Sequence, residues 1–179
     1  MTQREPFLTW LLRLWHHLWQ SERAARDAVP DDMAARLTAR VRASELRHSG
    51  QIRVCVEGAL PLSYVWRAGR HAPLHTVVRQ RAMTWFGRLR VWDTAHNNGV
   101  LIYLLLAEQR IEIVADRGLM LHTTEVHWQN VVHGLRQQLQ AGDVETGLTQ
   151  ALEEVSALLV AHFASAEHVN ELPDLIVRA

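Results

Sequence analysis

The feature that most constrains the fold is a nearly unbroken apolar run, Val100 to Ala107, entered through Asn97-Asn98-Gly99. A stretch of that length with no polar face suits a strand covered on both sides, in the middle of a sheet. Directly after it, Arg110 to Asp116 alternates polar and apolar residues, and the short link Glu108-Gln109 argues for an antiparallel hairpin, although it lacks the Gly or Asn that a two-residue turn prefers. Upstream, Gln51 to Glu57 sets Ile52, Val54 and Val56 against Arg53, Cys55 and Glu57, a period of two. Between these strands, residues 58 to 70 carry Gly58, Pro61 and Gly69 and read as a loop, and from Pro73 to Arg90 the apolar positions Leu74, Val77, Val78, Ala82, Trp85 and Leu89 fall at helical spacing. A strand-helix-strand crossover places its two strands parallel in one sheet.

Helices flank this unit. After Pro30, Asp31 or Asp32 supplies the cap of a helix running to about His48, with Met33, Leu37, Val41, Ser44 and His48 on one stripe and Gly50 as a left-handed stop. Toward the other end, Thr124 to Gln140 presents Trp128, Val131, Val132, Leu135 and Leu139, and Val144 to Phe163, capped by Asp143, presents Leu148, Leu152, Val155 and Leu159. The segment from Ala164 is polar. The expected architecture is one α/β sandwich with a small mixed sheet covered by helices over 30–163, preceded by an amphipathic helix and linker (1–29) and followed by a tail (164–179).

Composition excludes several chemistries. All nineteen positive charges are Arg, balanced by nineteen Asp plus Glu. Without lysine there is no Schiff base on a lysine and no phosphate-gripping P-loop lysine. Zero net charge gives no general attraction for nucleic acid, and no nucleotide or organic cofactor is indicated. The lone Cys55 excludes internal disulfides and multi-cysteine metal centres, and its place inside a strand reads as a structural thiol.

Residues 7 to 19 put Phe7, Leu8, Leu11, Trp15 and Trp19 on one helical face, opposite Arg13, His16 and His17, with Trp10 adding a further indole. The run is too short to span hydrocarbon and has Arg13 at its centre. Either it packs on its own domain, or Phe7, Trp10, Leu11, Trp15 and Trp19 dock on a bilayer surface, a protein partner or a second copy of the chain. The chain is expected in the cytoplasm, with peripheral contact at the inner face of the membrane under the second reading.

If the first two strands run parallel, the starts of both and the end of the third share one edge. Glu45 and His48, then Asp93, His96, Asn97 and Asn98, then Asp116 and Arg117, gather there. Other polar groupings are weaker. His71 and His75 are four apart but have no third ligand, and His122 and His127 fit neither zincin spacing. Ser44 reads as a hydroxyl bonded to its own helix, and the Arg36, Arg40 and Arg47 stripe as a solvated face.

Val91-Trp92-Asp93-Thr94, Asn97-Asn98-Gly99-Val100-Leu101-Ile102-Tyr103 and Ile111-Glu112-Ile113-Val114-Ala115-Asp116-Arg117-Gly118 resemble the TPM domain family. Glu45-Leu46-Arg47-His48-Ser49-Gly50-Gln51-Ile52 and Asn170-Glu171-Leu172-Pro173-Asp174 look like a bacterial branch of it, so the resemblance covers roughly 30 to 175. It implies an α/β sandwich with a mixed sheet. Some members have been assigned phosphatase activity, some bind calcium or a similar ion, and others are accessory factors for membrane protein complexes. Many bacterial relatives carry a signal peptide and an anchor, and this chain is expected to work without either. The acidic ion site of such domains matches Asp93, Asn97, Asn98 and Asp116, with Glu45 more distant.

Two carboxylates and two amides form only a partial cage for Ca2+ or Mg2+, so a weak site is expected, against the alternative that these residues merely shape loops. The expected function is a non-enzymatic interaction or accessory module binding a protein partner. The alternative is a metal-dependent phosphatase acting on phosphomonoesters, with His48 or His96 as the acid and Arg117 on phosphate.

Overall fold

The computed structural model describes residues 22–68, 71–164 and 172–179. The Trp-rich segment, with Phe7, Trp10, Leu11, Trp15 and Trp19, lies outside them. In chain order the elements are α1 (Glu22–Ala28), α2 (Asp31–Glu45), β1 (Ile52–Glu57), α3 (Leu62–Arg67), α4 (Leu74–Arg88), β2 (Val100–Leu105), β3 (Arg110–Ala115), α5 (Arg117–Met120), α6 (Glu125–Gln140), α7 (Val144–Phe163) and β4 (Val177–Arg178).

The sheet order is β3-β2-β1-β4. β1 and β2 pair parallel from Ile52 against Val100, as the crossover predicts, and β2 and β3 pair antiparallel with Val100 opposite Ala115. The starts of β1 and β2 and the end of β3 therefore share one edge. Alternation decides what each face packs against. Ile52, Val54, Val56, Val100, Ile102, Leu104, Ile111 and Ile113 join the apolar sides of α2, α6 and α7 in one core. Cys55, Leu101, Tyr103, Leu105 and Val114 join α3 and α4 in a second.

Several local expectations are corrected. The loop over 58–70 contains α3, which starts after Pro61 with its ring at the N-cap. α2 stops at Glu45, and His48 instead makes an antiparallel bridge to Ala164. Neither Asp31 nor Asp32 caps that helix. Pro30 holds the cap position and both aspartates sit in the first turn, where negative charge opposes the helix dipole. Gly50 is not a left-handed stop. It is there for space, because a Cβ would lie 2.5 Å from Leu159 Cδ2 and 3.0 Å from the Asn98 carbonyl oxygen. β2 ends at Leu105, so the hairpin link is four residues, with Gln109 at φ 48 in place of the usual Gly.

The largest addition lies in the segment read as a polar tail. Residues 172–179 run beside β1 and close the sheet as β4, pairing Cys55 with Val177 and Val56 with Arg178 in parallel. Leu172 N–H donates to Gln51 Oε1 at 3.1 Å, and Arg178 reaches Asp31 at 2.6 Å.

Candidate functional site

The edge predicted from the topology is built by two glycines. A Cβ on Gly99 would sit 1.9 Å from the Val91 carbonyl oxygen, and one on Gly118 would sit 2.4 Å from that of His96 and 2.6 Å from that of Asn97. Gly118 N–H donates to the Asn97 carbonyl at 2.8 Å. The two motifs of the sequence are therefore in backbone contact with one another, and only glycine permits it. Arg90 (φ 54) and Asn97 (φ 51) take left-handed backbone at the two bends of the loop leading into β2.

This packing opens a cleft of about 460 Å³ lined by Trp92, Asp93, Thr94, Asn97, Asp116 and Arg117. Asp116 is the N-cap of α5, its Oδ1 accepting from Arg117 N–H at 2.7 Å, while its Oδ2 is buried without a hydrogen-bond partner. Asn97 Oδ1 accepts from Arg117 Nε at 3.1 Å and Nη2 at 3.0 Å. Asp93 pairs with Arg90. Thr94 is buried and its hydroxyl accepts from Asn98 N–H at 3.1 Å. Trp92, half exposed at 52%, stands on the rim.

Of the five residues expected to gather around an ion, the structure brings Asp93, Asn97 and Asp116 to this cleft. Asn98 follows the left-handed bend and is buried behind it, donating from Nδ2 to Ser49 Oγ at 3.1 Å. Glu45 is also absent from the cleft wall. It is 1% exposed at the end of α2, and its Oε1 accepts from Ile52 N–H at 2.9 Å. Burial pushes its carboxyl up to about 8; the Ile52 N–H opposes that, and the nearby Asp174 carboxylate adds to it. Asp174, from the segment leading into β4, is held by Arg42 at 2.7 Å. Buried beside them, Arg53 is 5% exposed. Among the described residues, no group of three or more His, Cys, Asp and Glu is placed to hold a metal ion.

Of the histidines considered as acids, His48 is fully buried, with Nδ1 against the Gly50 carbonyl at 3.1 Å. His96 is exposed on the cleft loop but outside the lining. His71 precedes α4, so it shares no helical face with His75. His127 caps its own helix from Nδ1, and His122 stacks on His162 with ring centroids 4.7 Å apart. Ser44 donates to the Val41 carbonyl at 2.8 Å, and burial raises the Cys55 thiol.

At the far end of β1 lies a polar cluster that sequence reasoning missed. Glu57, 3% exposed, accepts from Tyr103 Oη at 2.6 Å, Trp85 Nε1 at 3.0 Å and Arg81 Nε at 3.0 Å. The Arg81 guanidinium lies 5.1 Å from the ring centres of both Tyr64 and Trp85. Burial, reinforced by the Glu57 charge, raises the Tyr103 phenol. The available signal was Arg81 on the apolar stripe of α4, one turn before Trp85.

A family model described as the TPM domain matches residues 25–158. Among solved structures, the chain is similar to the NMR structure of BA42 protein from the psychrophilic bacterium Bizionia argentinensis, with a TM-score of 0.71 and 24% identity over 84% of this chain and 95% of that one. That likeness concerns the fold. A comparison with curated proteins found no match.

Proposed function

The chain belongs to the TPM domain family, and from that premise we propose that it is a non-enzymatic interaction module whose cleft at Asp93, Asn97 and Asp116 holds a divalent cation weakly. The observation that carries this reading is Asp116 Oδ2, a buried carboxylate oxygen without a partner in a cleft that also presents a second carboxylate and an amide oxygen. Leaving such an oxygen unpaired costs roughly 1–3 kcal/mol or more, and a hard cation removes that cost. The donor set fits Ca2+ or Mg2+ at low affinity. It offers two carboxylates and one amide, so solvent must complete the coordination. A cation would also compete with Arg90 for Asp93 and with Arg117 for Asn97. Trp92 on the rim supplies apolar contact for a protein bound over the cleft.

The partner is read as a protein at or near the inner face of the membrane, reached through the Trp-rich N-terminal segment. No helix among the described residues is long and apolar enough to cross a membrane.

Titration with calcium or magnesium chloride, followed by backbone NMR, tests the cation site. Shifts confined to residues 93–98 and 116–118 are expected, and unchanged signals there overturn it. One observation favours a metal-dependent phosphatase as second reading: Arg117 lines the same cleft and offers a guanidinium to phosphate oxygens. Hydrolysis of a generic phosphomonoester that disappears with either Asp93→Asn or Asp116→Asn would replace the first reading by the second.

A further inference from the structure

Resting on the reading of the chain as an interaction module, but on a different surface, we propose that the outer edge of β3 is a docking slot for an extended partner segment that alternates acidic and apolar residues. The ladder fixes which backbone groups are free. Asp116 N–H donates inward to Gly99, so with Val100 opposite Ala115 the amides and carbonyls of Ile111, Ile113 and Ala115 point away from β2. β3 is an edge of the sheet, and no strand among the described residues pairs with those groups. Arg79 of α4 confirms the direction, donating from Nη1 to the Ile113 carbonyl at 2.6 Å.

Helices on both faces line the same space as this edge. His75 and Arg79 of α4 and Trp128 and Val132 of α6 face one cavity of about 610 Å³ that runs along β3, and a second of similar size continues past Ile111 and Arg136. The position a fifth strand would take is thus walled, and it is open except for the Arg79 guanidinium on the Ile113 carbonyl, which an incoming strand has to displace. The next β-strand lies about 4.8 Å from its neighbour and sends alternate side chains to opposite faces, so the two walls read its side chains separately. The α4 wall is cationic. Arg79 pairs with Glu112 at 3.4 Å, Arg110 on the same face of β3 forms no ion pair with a carboxylate of the described residues, and the other carboxylates on the two cavities, Glu125 and Glu108, stand at α6 and in the hairpin link. The α6 wall has an apolar centre, Trp128 and Val132 above Ile111 and Ile113, flanked by the polar Glu125, Gln129, His133 and Arg136. A segment with acidic residues toward α4 and apolar ones toward α6 satisfies both walls, while its backbone satisfies the edge.

The test uses the full chain, ¹⁵N-labelled and in metal-free buffer, so that it is independent of the cation site. The probes are two capped eight-residue peptides, one alternating Glu with Val and one alternating Lys with Val. The Glu peptide is expected to shift the amides of Ile111, Ile113 and Ala115 and slow their exchange, binding at least tenfold tighter than the Lys peptide. Arg110→Glu should reverse that preference while leaving the unbound spectrum outside β3 unchanged. Equal binding of both peptides, binding without change at those amides, or no binding overturns the proposal. Protection of the same amides in the free chain also overturns it, assigning the edge to a second copy if the chain is dimeric and to its own N-terminal segment if it is monomeric.

Discussion

Two polar regions sit at opposite ends of β1, and they have opposite degrees of satisfaction. At the Glu57 end one carboxylate receives an arginine, an indole and a phenol, all enclosed between the sheet and α4. At the cleft end Asp116 keeps one oxygen without a partner, beside an asparagine and an aspartate held only by solvent-facing arginines. A buried network with every group paired rigidifies a core. A site with an unpaired oxygen at a solvent-open edge gives up stability and gains somewhere to put a ligand. Burial alone therefore does not separate the two regions, whereas incomplete pairing at an accessible edge does.

The largest effect should come from breaking the satisfied end. Glu57→Ala strands the Arg81 guanidinium in a buried site, and loss of one partner of such a pair costs roughly 3–5 kcal/mol. Urea unfolding should show that loss, while the double change Glu57→Leu with Arg81→Met recovers most of it. Equal destabilisation of single and double variants would show that the cluster is not a pair but a set of independent contacts.

A third polar group shares the cleft's end of β1 yet behaves as core. Glu45 is held above its ordinary range by burial, up to about 8, so its neutral form is the one the fold favours. The sign follows. A carboxyl whose pKa is raised on folding contributes fully below its unfolded value, and that contribution is lost as pH rises through about 8. Stability should therefore fall between pH 6 and pH 9, by roughly 2–4 kcal/mol, and Glu45→Gln should flatten the profile and leave the variant more stable than the parent at pH 9. A parent whose urea midpoint is the same at both pH values would remove Glu45 from the account.

Gly118→Ala comes next, at roughly 1–3 kcal/mol. The new Cβ meets two carbonyl oxygens of the cleft loop, neither of which is the end of a flexible side chain. Circular dichroism should show a folded protein with a lowered Tm, and the NMR response to calcium should vanish because Asn97 is displaced from Arg117. A retained response would show that the loop, and not the glycine, sets the cleft.

The legibility of these regions differs for a physical reason. Period-two alternation in residues 51–57 and the crossover length make strand direction readable, and the shared edge follows from direction alone. Asp143 capping α7 and Ser44 bonding its own helix are local geometry, also readable. What stays hidden depends on pairing across distance. β4 is two residues long and is a strand only because β1 offers it a ladder. Glu57 and Arg81 look like a strand end and a stray helix charge until the fold stacks them. Asn97 and Asn98 are adjacent and chemically identical, yet one lines the cleft and the other is buried, with the left-handed backbone at Asn97 between them. That choice is dictated by Gly118 packing on the loop from a motif about twenty residues away.

The smallest stability effect should carry the sharpest functional consequence. Asp116→Asn keeps a good N-cap, because asparagine caps helices about as well as aspartate, so the change in the absence of metal should stay below about 0.5 kcal/mol. It replaces one oxygen by an amide nitrogen and removes a formal charge from the cleft, which takes away what a hard cation needs. In the parent, millimolar calcium should raise Tm by mass action, since a ligand bound only by the folded state stabilises it in proportion to the logarithm of its concentration. In the variant that rise should disappear while the metal-free Tm is unchanged. If both proteins respond alike, the bound ions are sitting on the surface carboxylates and the unpaired oxygen has no ligand; if the variant is more stable without metal, the Asp116 charge was a strain in the fold that calcium had merely been relieving.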